Sequence, residues 1–485
     1  MSLIRSVTRE APMTGQVTLP LWLAALLVLL AAWAALDRLL IPSVRWFLRR
    51  RANLFLEEIG KRLNLEIHPF ALTKRQVLID RLMYDPKVQQ ACASHARENN
   101  VPRDVVMAEV ERYAREIVPS FNAYAYFRIG YWLARKTARI LFRVRVGFAD
   151  DEGLSRIAPG SSVVFVMNHR SNMDYILVAY LAATRTALSY AVGEWARIWP
   201  LQTLIRAMGA YFIRRNSGNP MYRLVLERYV NMATESGVVQ AVYPEGGLTR
   251  DGALRPPKLG LLDYMVRSFN PDAGRNLVFV PVGINYDRTL EDRSLILEMS
   301  PGARRKSMPF VLGASLGFLL RNLYMMVVGR WYRFGYACVN FGSPVSMREY
   351  CNARGIDFRS MGREERFQKV EDLAKVLMAE VGKVIPVTPV SLVATAFVRN
   401  PENRFSGLEL KAEVQRLIAE LIAAGSHVYV PRKDREYAVE VGLRMLTLRR
   451  LVEDEDGLCR ARPEELTLLR YYANSIAHLL PASGP

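Results

Sequence analysis

Residues 163–174 read VVFVMNHRSNMD, and this stretch decides the fold. The apolar run from Val163 to Met167 has the length and β-branched content of a short buried strand. It ends in polar, turn-prone residues, and apolar sequence of helical character follows. Between strand and helix lie His169 and Asp174. Five positions apart, they would diverge around a regular helix, but across a strand-to-helix turn Asp174 reaches back to the His169 imidazole. A carboxylate there fixes the ring's tautomer and leaves the other nitrogen as a general base. The plainer alternative is that Ser171 caps the helix, Asp174 closes a capping box and His169 is an ordinary satisfied polar residue.

Strand signals recur at 238–243 and 277–284, each preceded by sequence able to form a helix. This rhythm predicts an α/β fold, a central mixed sheet flanked by helices, with the core at 146–350. Residues 46–145 read as a helical, membrane-proximal region punctuated by Pro102 and Pro119, and 351–485 as a mostly helical C-terminal region. Every residue from Leu19 to Leu36 is apolar or Pro20, long enough to span a bilayer, so residues 1–45 carry a predicted transmembrane anchor. Arg38, Arg45, Arg49, Arg50 and Arg51 follow it, against Arg5 and Arg9 before it. This bias places the C-terminal bulk on the cytoplasmic side of the inner membrane. A cleaved leader ending near Ala32 and Ala34 is the competing reading. Two further stretches, 46–63 and 307–332, mix apolar and basic residues in a way that suits headgroup contact or an ordinary helix.

The chain has 485 residues and a formal charge of +19, which calls for an anionic partner. It has no zinc finger, basic zipper or aromatic RNA-binding signature, so a bilayer or a phosphorylated substrate is expected and nucleic acid is not. Cys92, Cys338, Cys351 and Cys459 form no CxxC pair and the five histidines no ligand spacing, so no metal is expected.

Three more segments carry chemistry. In GAYFIRR, Arg214 and Arg215 follow a strand-like step, and paired guanidinium groups can grip phosphate bidentately. They could equally be a solvated basic turn. In YPEGGLTRDG, Glu245 precedes Gly246 and Gly247, which allow backbone amides close to a ligand, and Arg250 and Lys258 add positive charge. As plain punctuation, the same glycines mark turns. In VFVPVGINYDR, Pro281 interrupts a strand signal, which points to an edge or a bulge. That strand is either one wall of an acyl channel or simple core.

In order and spacing, NHRSNMDY, GAYFIRR, YPEGGLTRDG with PPKLG, and VFVPVGINYDR resemble the glycerol-3-phosphate acyltransferases of the glycerolipid acyltransferase superfamily. Weaker likeness extends to VTPVSLVATAFV and LLRYYANSIAHLL. The resemblance implies transfer of a fatty acyl group from acyl-CoA or acyl carrier protein, as co-substrate and without a cofactor, to the sn-1 hydroxyl of glycerol 3-phosphate. His169 and Asp174 would be catalytic. Arg214, Arg215, Glu245, Gly246, Gly247, Arg250 and Lys258 would surround the acceptor phosphate. One position departs: the family commonly has arginine after the glycines, where Leu248 stands. Lysophosphatidate or dihydroxyacetone phosphate as acceptor, and a noncatalytic protein that binds anionic lipid, are the alternative readings.

Overall fold

The computed structural model describes residues 73–299 and 333–481, apart from 124, 183–187, 194–200, 215, 216 and 273, together with residue 28. The expected anchor at 19–36, apart from residue 28, the stretches 46–63 and 307–332, and Arg215 lie outside the described residues. Among those described, no helix is long and apolar enough to cross a membrane.

The chain opens with helices α1 (Arg75–Met83), α2 (Pro86–Glu98) and α3 (Arg103–Ile117). A π-helical turn (Ala125–Gly130) then leads into α4 (Tyr131–Leu141). The sheet follows, with β1 (Arg143–Ala149), β2 (Ser162–Met167), β3 (Ser189–Val192), β4 (Tyr211–Phe212), β5 (Gln240–Val242), β6 (Leu277–Tyr286), β7 (Tyr336–Phe341) and β8 (Val345–Ser346). Its helices are α5 (Asp151–Ser155), α6 (Met173–Ala182), α7 (Leu201–Ala207), α8 (Pro220–Glu235), α9 (Gly260–Val266) and α10 (Asp292–Leu297). Strand order is β1-β7-β6-β2-β5-β3-β4, with β8 beside β6. The pairs β2–β6, β2–β5, β3–β5 and β3–β4 are parallel and β6–β7 is antiparallel, so the sheet is mixed, as the strand rhythm predicts.

Because β6 is buried along its whole length, its two faces feed two cores. Phe279 packs with α8, α9 and the N-terminal helices, so Leu82, Val88 and Val110 share a core with the sheet. Val280, Val282, Ile284 and Tyr286 pack on the opposite face with Leu177 and Val178 of α6.

Helices α11 (Met347–Arg354) and α12 (Arg363–Lys383) return the chain to the sheet. A third core joins α13 (Pro389–Arg399), α14 (Gly407–Ala423), α15 (Arg435–Leu448) and α16 (Leu466–Ala477) with a small antiparallel sheet, β9 (Phe405–Ser406), β10 (Val452–Glu455) and β11 (Leu458–Ala461).

The proline signal needs a correction. Pro281 lies in a central strand, opposite Val166 of β2, and not at an edge. On the other side Val282 faces Phe341 and Phe279 faces Val345, so three steps along β6 meet four along its neighbour. The Pro281 carbonyl accepts from Gly342 N at 2.8 Å, and the missing N–H points to that same side. The irregularity expected of proline is therefore taken up as a bulge in the partner.

Candidate active site

β2 ends at Met167, next to the end of its parallel neighbour β5, so the loop after Met167 emerges at the carboxyl end of these strands, where open α/β folds carry their sites. Asn168 ties the loop down: its amide accepts from Ile284 N at 2.8 Å and donates to Ile284 O at 2.9 Å. His169 is then held from several sides. Its backbone N–H donates to Glu245 Oε1 at 2.8 Å, and its carbonyl accepts from Thr249 N at 3.1 Å. The Tyr243 ring stacks on the imidazole with centroids 4.2 Å apart, and Tyr175 meets it edge-on at 5.4 Å.

Asp174, fully buried in the first turn of α6, supplies the remaining contact. Its Oδ2 lies 2.9 Å from His169 Nδ1 and accepts from Arg170 N at 2.7 Å and Ser171 N at 3.1 Å. Its Oδ1 accepts from Tyr286 Oη–H at 2.6 Å. With Nδ1–H donating to this carboxylate, Nε2 is the unprotonated nitrogen. The two sequence readings of this loop coexist. Ser171 Oγ accepts from Met173 N at 3.1 Å and Asp174 Oδ2 accepts from Ser171 N, so both side chains cap the helix start, and the same carboxylate still reaches His169.

Glu245 does not face the cavity as a phosphate ligand. Its second oxygen accepts from Arg255 N at 3.1 Å, so the carboxylate bridges the two loops from behind. Burial pushes its pKa up to about 7, and the two amide hydrogen bonds only partly oppose that.

His169 lines a cavity of about 350 Å³ together with Tyr175, Ile213, Arg214, Tyr222, Arg223, Tyr243, Gly246, Gly247 and Lys258. Gly246 has φ +67°, and a Cβ there would lie 2.6 Å from the Lys258 side chain, so the missing side chain is what lets Lys258 cross the loop. The Lys258 ammonium makes no ion pair among the described residues. Arg214 donates from Nε and Nη2 to Glu116 at 2.9 and 2.6 Å and lies over the Tyr113 and Tyr222 rings; the Glu116 bond is the main reason its guanidinium holds its proton more firmly.

Two expectations fail on position. Arg250 is outside the cavity wall, half exposed and 3.5 Å from Glu298. Pro281 is not part of the wall either; on β6 it faces Gly342 and the residues near Val384. Leu248, at the departing position, packs against the third core.

Arg223, Tyr243, Tyr286 and Glu291 were not singled out from sequence. Arg223 sits in the first turns of an ordinary-looking helix and reaches the cavity only because α8 packs beside the glycine loop. Glu291 accepts from Ser171 Oγ at 2.7 Å and from the Asn172 backbone and side chain at 3.2 and 3.1 Å. Tyr243 and Tyr286 stand inside quoted motifs, and their being strand-terminal aromatics beside polar loops was the available signal. Among the described residues no group of three His, Cys, Asp or Glu side chains is placed to hold a metal ion.

Comparison with known proteins matches two stretches of the chain. The Acyltransferase family matches residues 149–285, which span the loop of His169 and the glycine loop, and the glycerol-3-phosphate acyltransferase C-terminal region matches 326–483. These two matches lay acyltransferase-like sequence on the α/β sheet and on the helices that follow it. Glycerol-3-phosphate acyltransferase of Pseudomonas fluorescens (strain SBW25) is 27% identical over 427 residues, covering 85% of this chain and 49% of the relative. The like-named protein of Actinobacillus succinogenes is 26% identical over 422 residues, covering 84% and 50%. The crystal structure of the 1-acyl-sn-glycerophosphate acyltransferase from Thermotoga maritima aligns with 18% identity and a TM-score of 0.31, over 53% of this chain and 79% of that one. Over most of its length the chain is similar to the glycerol-3-phosphate acyltransferases. It spans about half the length of the curated relatives it matches.

Proposed function

We propose that the protein transfers a fatty acyl group from a thioester, acyl-CoA or acyl carrier protein, to the sn-1 hydroxyl of glycerol 3-phosphate, giving lysophosphatidic acid. The observation that carries this is one cavity holding His169, buttressed by Asp174 at 2.9 Å, together with the Lys258 ammonium, which makes no ion pair among the described residues, and the guanidinium groups of Arg214 and Arg223. A general base and an anion cradle in the same small volume suit a phosphorylated alcohol.

In this mechanism Lys258 and Arg223 hold the acceptor phosphate, with Arg214 beside them. The acceptor hydroxyl points at His169 Nε2, which takes its proton as the oxygen attacks the thioester carbonyl. The imidazolium that forms is stabilised by the Asp174 carboxylate. The tetrahedral intermediate collapses with departure of the thiolate, to which His169 returns the proton. Gly247, in the cavity wall, is positioned to offer its amide to the oxyanion. Glu245 acts as a positioning residue that locks the His169 and Arg255 backbones together.

We place the protein at the cytoplasmic face of the inner membrane, held by the apolar run 19–36, on the strength of the arginine bias around it. Full-length protein, assayed with both donors, should acylate glycerol 3-phosphate, and His169→Ala should abolish the product. Turnover of lysophosphatidate or dihydroxyacetone phosphate alone would keep the chemistry and refute the acceptor. Undiminished turnover by the variant would refute the base.

A further inference from the structure

One helix turns an apolar strip away from the protein. Ile129, Trp132, Leu133 and Ile140 are exposed by 49%, 58%, 42% and 41%. At about 100° per residue Trp132, Leu133 and Ile140 fall along one side of α4, with Ile129 in the π-helical turn just before it, while Ala134 and Ala138 are buried on the other side. Large exposed apolar side chains elsewhere among the described residues lie more scattered and need no special account. This cluster does.

Its polar neighbours identify the occupant. Lys136 sits within the strip and Arg128, Arg135 and Arg139 flank it, all exposed. Between residues 117 and 149 the chain has no aspartate or glutamate, and none of these four cations makes an ion pair among the described residues. An exposed tryptophan beside isoleucines and leucine, fringed by long basic side chains that can extend toward headgroups, is the composition of a helix lying in the plane of an anionic bilayer. The helix also packs close to the chemistry. Arg139 Nε donates to Tyr180 Oη at 3.2 Å and the Tyr131 ring stacks on Tyr180 at 6.0 Å, both on α6, whose first turn holds Asp174.

We infer that the strip formed by Ile129, Trp132, Leu133 and Ile140, with its arginine and lysine fringe, is a monotopic membrane contact that seats the catalytic region on anionic lipid. The inference rests on the proposal that this protein works at a membrane, and it names the surface involved.

The four natural cysteines are all buried, so a fluorophore attached to Leu133→Cys or Ile140→Cys in the full chain labels one place. Leu408→Cys, 79% exposed on α14, serves as the aqueous control. With vesicles of phosphatidylcholine and anionic phosphatidylglycerol carrying a shallow spin-labelled lipid, the labels at 133 and 140 should lose roughly half or more of their emission, as suits a depth of about 5–10 Å. The label at 408 should lose little. If the chain floats with the vesicles while 133 and 140 are quenched no more than 408, the inference is wrong and membrane attachment stands. If the chain does not float at all, both fail. Energy transfer between labels on different copies, without lipid quenching, would make this face an interface between copies and overturn the lipid assignment.

Discussion

Asp174→Asn tests the centre of the mechanism with the smallest possible change in shape. The carboxylate accepts from Arg170 N and Ser171 N, lies 2.9 Å from His169 Nδ1, and accepts from the Tyr286 phenol. An amide can keep its oxygen on the first three and turn its NH2 toward Tyr286, whose oxygen can accept as well as donate. The loop therefore keeps its geometry while the negative charge disappears. Two costs follow. Hydrogen bonds to a neutral acceptor are worth about 1 kcal/mol less each than to a charged one, so the fold should lose roughly 2–3 kcal/mol. Catalysis loses the attraction between the carboxylate and the developing imidazolium, about 4 kcal/mol for unit charges ~4 Å apart at an effective dielectric near 20. At 1.36 kcal/mol per decade that is a fall in kcat of about a thousandfold. The assay is acyl transfer by the purified full chain at saturating donor and acceptor, beside a thermal melt that establishes folding at the assay temperature. A folded variant that keeps kcat within a few fold, or one whose loss lies wholly in KM, would refute the argument.

Lys258→Met should raise the KM for glycerol 3-phosphate roughly tenfold, the worth of one charge-assisted phosphate contact, with kcat little changed; Arg250→Ala, outside the cavity, should leave both constants alone, and the reverse pattern in steady-state kinetics would return Arg250 to the site. Glu245 has its folded pKa raised by burial to about 7 from an ordinary 4.5, so its stabilising contribution is full below about pH 4.5 and is lost as pH rises through about 7. Urea unfolding of the wild type and Glu245→Gln at pH 5 and pH 8 should show the wild type losing up to about 3 kcal/mol relative to the variant over that interval, and a constant difference would contradict this. Gly252 has φ +85°, and a Cβ there would stand 1.8 Å from the Tyr471 carbonyl oxygen, so Gly252→Ala should cost about 2–4 kcal/mol in a melt while Gly407→Ala, in open space, costs little.

The strand signal at 163–167, the turn that follows it and the pairing of His169 with Asp174 were all legible in the linear chain. They depend on contacts within a dozen residues, where periodicity and turn chemistry dominate. The α/β class was legible as well, because β2, β5 and β6 leave buried apolar runs, whereas β1, β3, β7 and β8 were not read as strands. What lay beyond the sequence was every relation that depends on which loops meet at the carboxyl end of the sheet. Arg250 and Lys258 look alike on paper, yet Lys258 lines the cavity and Arg250 stands outside it. Glu245 is one residue from Gly246, but its carboxylate turns back to the His169 and Arg255 amides. Arg223 and Glu291 reach the site from helical segments whose local sequence gives no hint of it. Pro281 announces an irregularity, and only the pairing of β6 with β7 and β8 locates it in the neighbouring strands. Local sequence determines the backbone a residue sits on, whereas the direction its side chain finally faces is decided by packing between segments distant along the chain.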